Sequence, residues 1–230
     1  MNWKISNSMR ILLLLTLCIQ ACLSFAKESE TFPEITQTEP GLFRFGEILI
    51  DQKKRKFLFP AVCNQTTGLV EYALVHENGK VHESLFRTPV NPRLIHACLL
   101  LLKESPHPDF FKSLSGSKGN LPKFRSIQIS AEWEHNGTSH SQAISPMVLN
   151  QNDGRQLQGN SFIFTGSRMI EGSYLAEEDG SIVAIYHDNR ATINSMDEQS
   201  DSDDVWIANA ANMPPKDLPV NICFQLQSKE

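Results

Sequence analysis

The stretch that decides the fold is Tyr72-Ala73-Leu74-Val75-His76-Glu77-Asn78-Gly79-Lys80-Val81-His82-Glu83-Ser84-Leu85-Phe86. Two largely apolar runs flank Asn78-Gly79, a pair that tolerates positive φ at both central positions of a two-residue turn, and this predicts a β-hairpin. Such a turn pairs Glu77 with Lys80, so His76 lies opposite Val81, Leu74 opposite Glu83 and Tyr72 opposite Leu85. The face carrying these residues is apolar apart from His76 and Glu83, which are diagonal neighbours. An inward Glu83 needs a partner, because an unpaired buried carboxylate is costly or has its pKa forced up. His96, on the next segment, is the expected partner, whereas His82 has the opposite parity and points away.

Working outward, FRFGEILID, FLFPAVC and GLVEYALV precede this unit, and RSIQISAEWEH, a turn at Asn136-Gly137 and TSHSQAISP follow it. NSFIFT, Ser173–Ala176, Ser181–Tyr186 and Val220–Gln227 complete the set of expected strands. Between them, Asn91-Pro92 supplies an N-cap and a first-turn proline for a helix over Arg93–Lys103, apolar nearly all round and so expected to be buried on more than one side. Ser113–Asn120 reads as a polar, mobile loop. The fold class is therefore mainly β (α+β), an antiparallel sandwich or partly open barrel of about ten strands with one buried helix. It occupies 41–230 as one domain behind a flexible leader at 27–40.

The chain has 230 residues, 40% hydrophobic, enough to bury a sizeable core. Its first 26 positions hold Lys4 and Arg10 but no acid, so the remainder carries 19 basic against 26 acidic residues, a net −7 that argues against a nucleic-acid partner. Lys4, Arg10, the apolar Ile11–Leu17 and the small residues of Ser24-Phe25-Ala26 form a signal peptide over 1–26, with Lys27 as the new N-terminus. A rival reading takes Ile19-Gln20-Ala21-Cys22 as a lipobox, and Cys22 would then be lipidated and bring the chain to a membrane. Either route places the protein outside the cytoplasm, periplasmic or extracellular, or membrane-anchored through Cys22.

Cys63, Cys98 and Cys223 allow at most one disulfide and contain no CxxC, so neither a zinc ribbon nor an iron–sulfur cluster is supported; small buried side chains are the favoured reading. Asn64-Gln65-Thr66 and Asn136-Gly137-Thr138 match the glycosylation sequon, which matters only in a eukaryotic secretory pathway. Asp197–Asp204 lacks the glycine and glutamate of a calcium loop and reads as a solvated acidic loop. No GxSxG, HExxH, Walker or dinucleotide signature occurs. Three readings remain for His76, His82, Glu83 and His96: a Glu–His bond anchoring helix to sheet, a binding pocket at that junction, and a metal or acid–base site.

GKVHESLF (79–86) followed by His96-Ala97-Cys98-Leu99-Leu100-Leu101-Leu102 resembles the YdjY-type domain of exported bacterial proteins. Gly68-Leu69-Val70-Glu71-Tyr72, Phe164-Thr165-Gly166-Ser167, Pro214-Pro215 and Pro219-Val220-Asn221-Ile222 extend the likeness over roughly residues 41 to 227. The resemblance implies export and leaves mechanism and cofactor unknown, and the cysteine spacing gives no ground for the iron–sulfur label some members carry. It singles out His82, Glu83 and His96, with Gly166 and Ser167 as backbone donors in a turn. The resulting expectation is an exported module that binds a small ligand or an envelope protein. The alternatives are a metal-dependent hydrolase or other small enzyme using His82, Glu83 and His96, and a purely structural envelope module.

Overall fold

Short apolar–polar runs broken by glycine and asparagine favour strands too short to bury much alone, which must pair into one sheet to satisfy their backbone groups. A computed structural model describes residues 32–114 and 124–228. The expected signal peptide with Cys22, the start of the leader and most of the Ser113–Asn120 loop lie outside the described residues. Glu34–Glu230 forms one compact unit.

The described strands begin with β1 (Ile35–Glu39), β2 (Leu42–Phe45), β3 (Ile48–Asp51), β4 (Lys56–Cys63), β5 (Tyr72–His76) and β6 (Ser84–Thr88). Helices α1 (Pro92–Leu101) and α2 (Phe110–Leu114) come next, then β7 (Ser126–His135), β8 (Thr138–Ala143), β9 (Val148–Asn150) and β10 (Phe162–Phe164). The small hairpin β11 (Met169–Ile170) and β12 (Ser173–Tyr174) leads into α3 (Leu175–Asp179). Last come β13 (Ser181–Ala184), β14 (Ile193–Ser195), β15 (Trp206–Ala208) and β16 (Pro219–Leu226).

Eight of these strands close on themselves in the order β4-β16-β7-β10-β14-β13-β5-β6, and β6 returns to β4 through Val62↔Arg87 and Cys63↔Phe86. The chain is mainly β, as its pattern predicts, and the architecture is a closed barrel. Two pairs, β5–β6 and β13–β14, are parallel, so the ladder is mixed rather than wholly antiparallel. An eight-stranded barrel has an interior that side chains can just fill. Along β4 burial alternates residue by residue, with Phe57, Phe59, Ala61 and Cys63 in the core, and the rings of Phe57 and Phe59 lie 4.9 and 5.5 Å from that of Phe224 on β16.

The hairpin expected at Asn78-Gly79 does not form. β5 and β6 run parallel, with Tyr72 level with Ser84 and His76 level with Thr88, and Val81–Glu83 is a 3₁₀ turn. Neither Asn78 nor Gly79 has positive φ, whereas Asn136 (φ 52°) and Gly137 (φ 73°) do, and there the expected β7–β8 hairpin is present. Gly79 serves another purpose: a Cβ on it would lie 2.8 Å from the Asp179 carbonyl oxygen, and one on Gly180 would lie 2.7 Å from Gly79 Cα. Two backbones touch where the expected turn should have stood free, and the freed edge of β5 pairs with β13. With both edges paired, Tyr72–Val75 and Ser84–Phe86 are buried on both faces of the wall.

Other boundaries also move. Part of the expected leader, Ile35–Glu39, is an exposed edge strand paired with β2. Ser173–Ala176 is strand only to Tyr174 before α3 begins. The capped helix appears where expected, with the Asn91 side chain accepting from Arg93 N–H at 2.8 Å. It is buried on one side only, through Ile95, Cys98 and Leu99, while Leu100 and Leu101 are 48% and 46% exposed. Cys63, Cys98 and Cys223 are buried free thiols. The acidic block is not wholly solvated, since Asp197 is buried, takes two hydrogen bonds from Arg155 (2.7 and 2.9 Å) and accepts from the N–H groups of Gln158 and Gln199. Burial alone would raise the Asp197 carboxyl, but these donors hold it below the ordinary carboxylate value.

Candidate functional site

Glu71, just before β5, is held by its main chain: its N–H donates to Glu83 O (2.9 Å), and its carbonyl accepts from Ile185 and Tyr186 N–H (2.7 and 3.0 Å). These bonds tie the starts of β5 and β6 to the end of β13. The two carboxyl groups are thereby brought side by side and share a hydrogen bond. Burial, that bond and the Glu83 charge together push the Glu71 carboxyl up to about 7, against the opposing pull of Lys80. Glu71 is therefore partly protonated near neutrality, because ionising a half-buried carboxyl beside the Glu83 charge is costly.

Beside the pair runs a chain of charged hydrogen bonds. Lys80 Nζ donates to Tyr72 Oη at 2.6 Å, and Tyr72 Oη donates to Asp188 Oδ2 at 2.9 Å. Burial and the Asp188 carboxylate raise the Tyr72 phenol, so it stays protonated as a donor. Asn194, fully buried on β14, fixes Asp188: its Oδ1 accepts from Asp188 N–H (2.8 Å) and its Nδ2 donates to Asp188 O (2.9 Å). His187 Nε2 donates to Ser195 O at 3.0 Å, and burial lowers the pKa of its imidazole despite that bond and the nearby Asp201.

These groups line a cleft of about 250 Å³ on the barrel rim, with Glu71, Tyr72, Lys80 and Asp188 as its polar residues, Phe111, Tyr186 and His187 as aromatic ones, and Asn189 beside them. Its size is below the range of about 300–1,000 Å³ usual for drug-sized ligands, so only a small molecule fits.

Of the residues singled out in the sequence, Glu83 belongs to this region but not with the expected partner. It is half-buried against Glu71, and its nearest imidazole is His82 Nε2 at 3.3 Å, on a side chain 79% exposed. His96 is engaged elsewhere: its Nδ1 is 2.8 Å from Tyr174 Oη, its ring packs against Phe164 and Tyr174, and burial lowers its pKa. His76 Nδ1 accepts from Asn78 N–H at 3.3 Å. Gly166 and Ser167 serve the framework. Gly166 N–H donates to Thr192 O, and Ser167 Oγ donates to Arg190 O while accepting from Ala176 N–H. The Glu83–His96 anchor is therefore replaced by Glu83–Glu71 and His96–Tyr174. Among the described residues no three His, Cys, Asp or Glu side chains gather as a metal site, so His82, Glu83 and His96 do not form the expected triad.

Glu71 and the Tyr186-His187-Asp188-Asn189 turn escape the sequence reading. The signal available for the turn is a polar run with two turn formers directly after the buried strand Ser181–Tyr186. Glu71 gives none, since its role comes from a parallel pairing that no local pattern encodes. No family model, no curated protein and no solved structure matches the chain.

Proposed function

We propose that the protein is an exported, YdjY-type binding module that takes a small cationic ligand in the rim cleft. The observation that carries this reading is the cleft's charge: among the described residues Glu71 and Asp188 line it against one cation, Lys80, and the Glu83 charge acts on Glu71. Lys80 supports the choice of cation, because its ammonium is held by the Tyr72 hydroxyl beside Asp188, contacts that a ligand ammonium could also use. An arriving cation displaces the proton held by Glu71 and neutralises the carboxylate left behind. Aromatic walls at Phe111 and Tyr186 cover its apolar part. Export rests on the order of charged, apolar and small residues in positions 1–26 and on the likeness of GKVHESLF to the YdjY type.

The test is a titration of the purified protein with small amines, amino acids, polyols and carboxylates, followed by NMR shifts of Tyr186, His187 and Glu71. Amines should bind, more tightly above pH 7 than below, and Glu71→Gln and Asp188→Asn should each weaken binding at least tenfold, the scale of one lost charged contact. Binding of carboxylates alone, or of no compound, refutes the proposal.

A further inference from the structure

At the barrel corner where the β3–β4 turn meets the end of α1, Arg55 Nη1 donates to Leu102 O at 2.7 Å, and its Nη2 reaches Glu104 Oε2 at 3.1 Å. Arg125 Nε lies 3.7 Å from the other Glu104 oxygen, so this buried carboxylate is taken up by two guanidinium groups. The lysines around it are left outward. Lys53, Lys54 and Lys103 are exposed, and among the described residues the carboxylate matched to them is Asp51, 3.7 Å from Lys54. Leu100 and Leu101 stand half exposed in the last turn of α1, next to Lys103. Exposed Leu100, Leu101 and Lys103 at the end of α1, and exposed Lys53 and Lys54 next to the Arg55 that ties the β3–β4 turn to that end, make this a leucine- and lysine-bearing corner on a protein of net charge −5.

We propose that this corner docks on an anionic lipid surface. Leucines enter the headgroup boundary while lysines lay their stems along the apolar surface and keep their ammonium groups among the phosphates. Charge complementarity selects this occupant over a second copy of the chain. A two-fold interface through the patch would set its lysines against themselves, and like charges juxtaposed across an interface are strongly disfavoured. Each lysine near an anionic membrane adds roughly fivefold to partitioning, so three act together as the main source of affinity.

The test is co-sedimentation of the full chain, carrying Cys22→Ser to remove any acyl anchor, with vesicles of phosphatidylcholine alone or mixed equally with phosphatidylglycerol. The comparison with otherwise identical variants cancels any contribution from the N-terminal apolar segment. The parent should prefer anionic vesicles by at least tenfold and lose that preference at about 1 M salt, where the screening length falls to about 3 Å. Lys53→Glu/Lys54→Glu/Lys103→Glu should remove it, and Leu100→Ser/Leu101→Ser should weaken binding to the anionic vesicles several-fold, each with unchanged thermal midpoints. Equal binding to both vesicle types overturns the proposal, as does an anionic preference that survives charge reversal. A concentration-dependent dimer dissolved by Leu100→Ser/Leu101→Ser also overturns it, assigning the face to a second copy.

Discussion

Replacing Glu71 by glutamine should flatten the pH dependence of stability and stabilise the protein at mildly alkaline pH. In the folded chain the Glu71 carboxyl is raised from its ordinary 4.5 to about 7 by burial, by the hydrogen bond with Glu83 and by the Glu83 charge. A carboxyl that holds its proton more tightly folded than unfolded contributes stability that is complete below about pH 4.5 and lost as pH rises through about 7. That interval sets a ceiling of about 3 kcal/mol. Water around a carboxyl that is only partly buried reduces the effect to about 1–2 kcal/mol. The glutamine amide keeps a donor for the Glu83 carboxylate and carries no charge. The variant should thus lack the loss between about pH 5 and 8 and be about 1–2 kcal/mol more stable than the parent at the upper end. Urea unfolding at a series of pH values measures this directly. A parent chain whose stability rises across the window, or a variant that keeps the parent's slope, would refute the raised Glu71 carboxyl. Because Glu71 also lines the cleft, the same substitution should cost ligand binding while it adds stability, which distinguishes a functional carboxyl pair from a structural one.

Leu99→Ala should cost about 2–5 kcal/mol in urea unfolding, since Leu99 is fully buried, whereas Leu101→Ala should stay within about 0.5. Asp197→Ala strips Arg155 of both hydrogen bonds and should cost about 2–3 kcal/mol, and the Asp197 contribution in the parent, present above about pH 4, should fade on acidification. Gly180→Ala places a methyl 2.7 Å from Gly79 Cα at φ 69° and should lower the melting temperature by an amount equivalent to about 1–3 kcal/mol. Burial raises the Cys63 thiol to about 11 and the Cys98 thiol to about 12, so both should resist alkylation at mildly alkaline pH until the chain unfolds, as read by peptide mass.

Local chemistry controls what is legible in the sequence. The β7–β8 hairpin is readable because Asn136 and Gly137 occupy an isolated turn whose geometry depends on these two residues alone. The N-terminus of α1 is readable for the same reason, through the Asn91 cap and Pro92. At Asn78-Gly79 the same dipeptide misleads, because glycine is suited both to a turn and to close backbone approach, and only the distant Gly180 decides between them. The consequence carries into the site. Antiparallel register sends Glu83 toward His96, whereas the parallel register sets it beside Glu71, a residue that the expected hairpin leaves without a role. His82 and Glu83 stand out because their motif is dense in ionisable groups, while Asp188 stays hidden because its anchor Asn194 lies on a strand too short to read.

The cleft follows from a connection that is short for its task. Parallel neighbours are usually joined by a dozen or more residues that leave the sheet and return. Here Glu77–Glu83 provides seven to retrace β5 from His76 to the level of Tyr72, about 13 Å at the rise of an extended strand. Seven residues can cover that distance but cannot build a covering helix on the way, so the segment hugs the wall and ends in a single 3₁₀ turn. Hugging requires Gly79 against Gly180, because a side chain on either would collide with the other's backbone. Once the path is fixed, Lys80 is delivered onto the Tyr72 hydroxyl and Glu83 beside Glu71, which gives the cleft its only cation among the described residues and raises the Glu71 carboxyl. A longer crossover would release Lys80 from Tyr72 and let Glu83 turn to solvent. Topology therefore sets the chemistry here: inserting flexible residues between Asn78 and Lys80 should leave the barrel paired while lowering the Glu71 pKa toward its ordinary value, as read by an NMR titration of the Glu71 carboxyl. A Glu71 pKa unchanged by the insertion would show that burial alone raises it and that the short crossover is incidental.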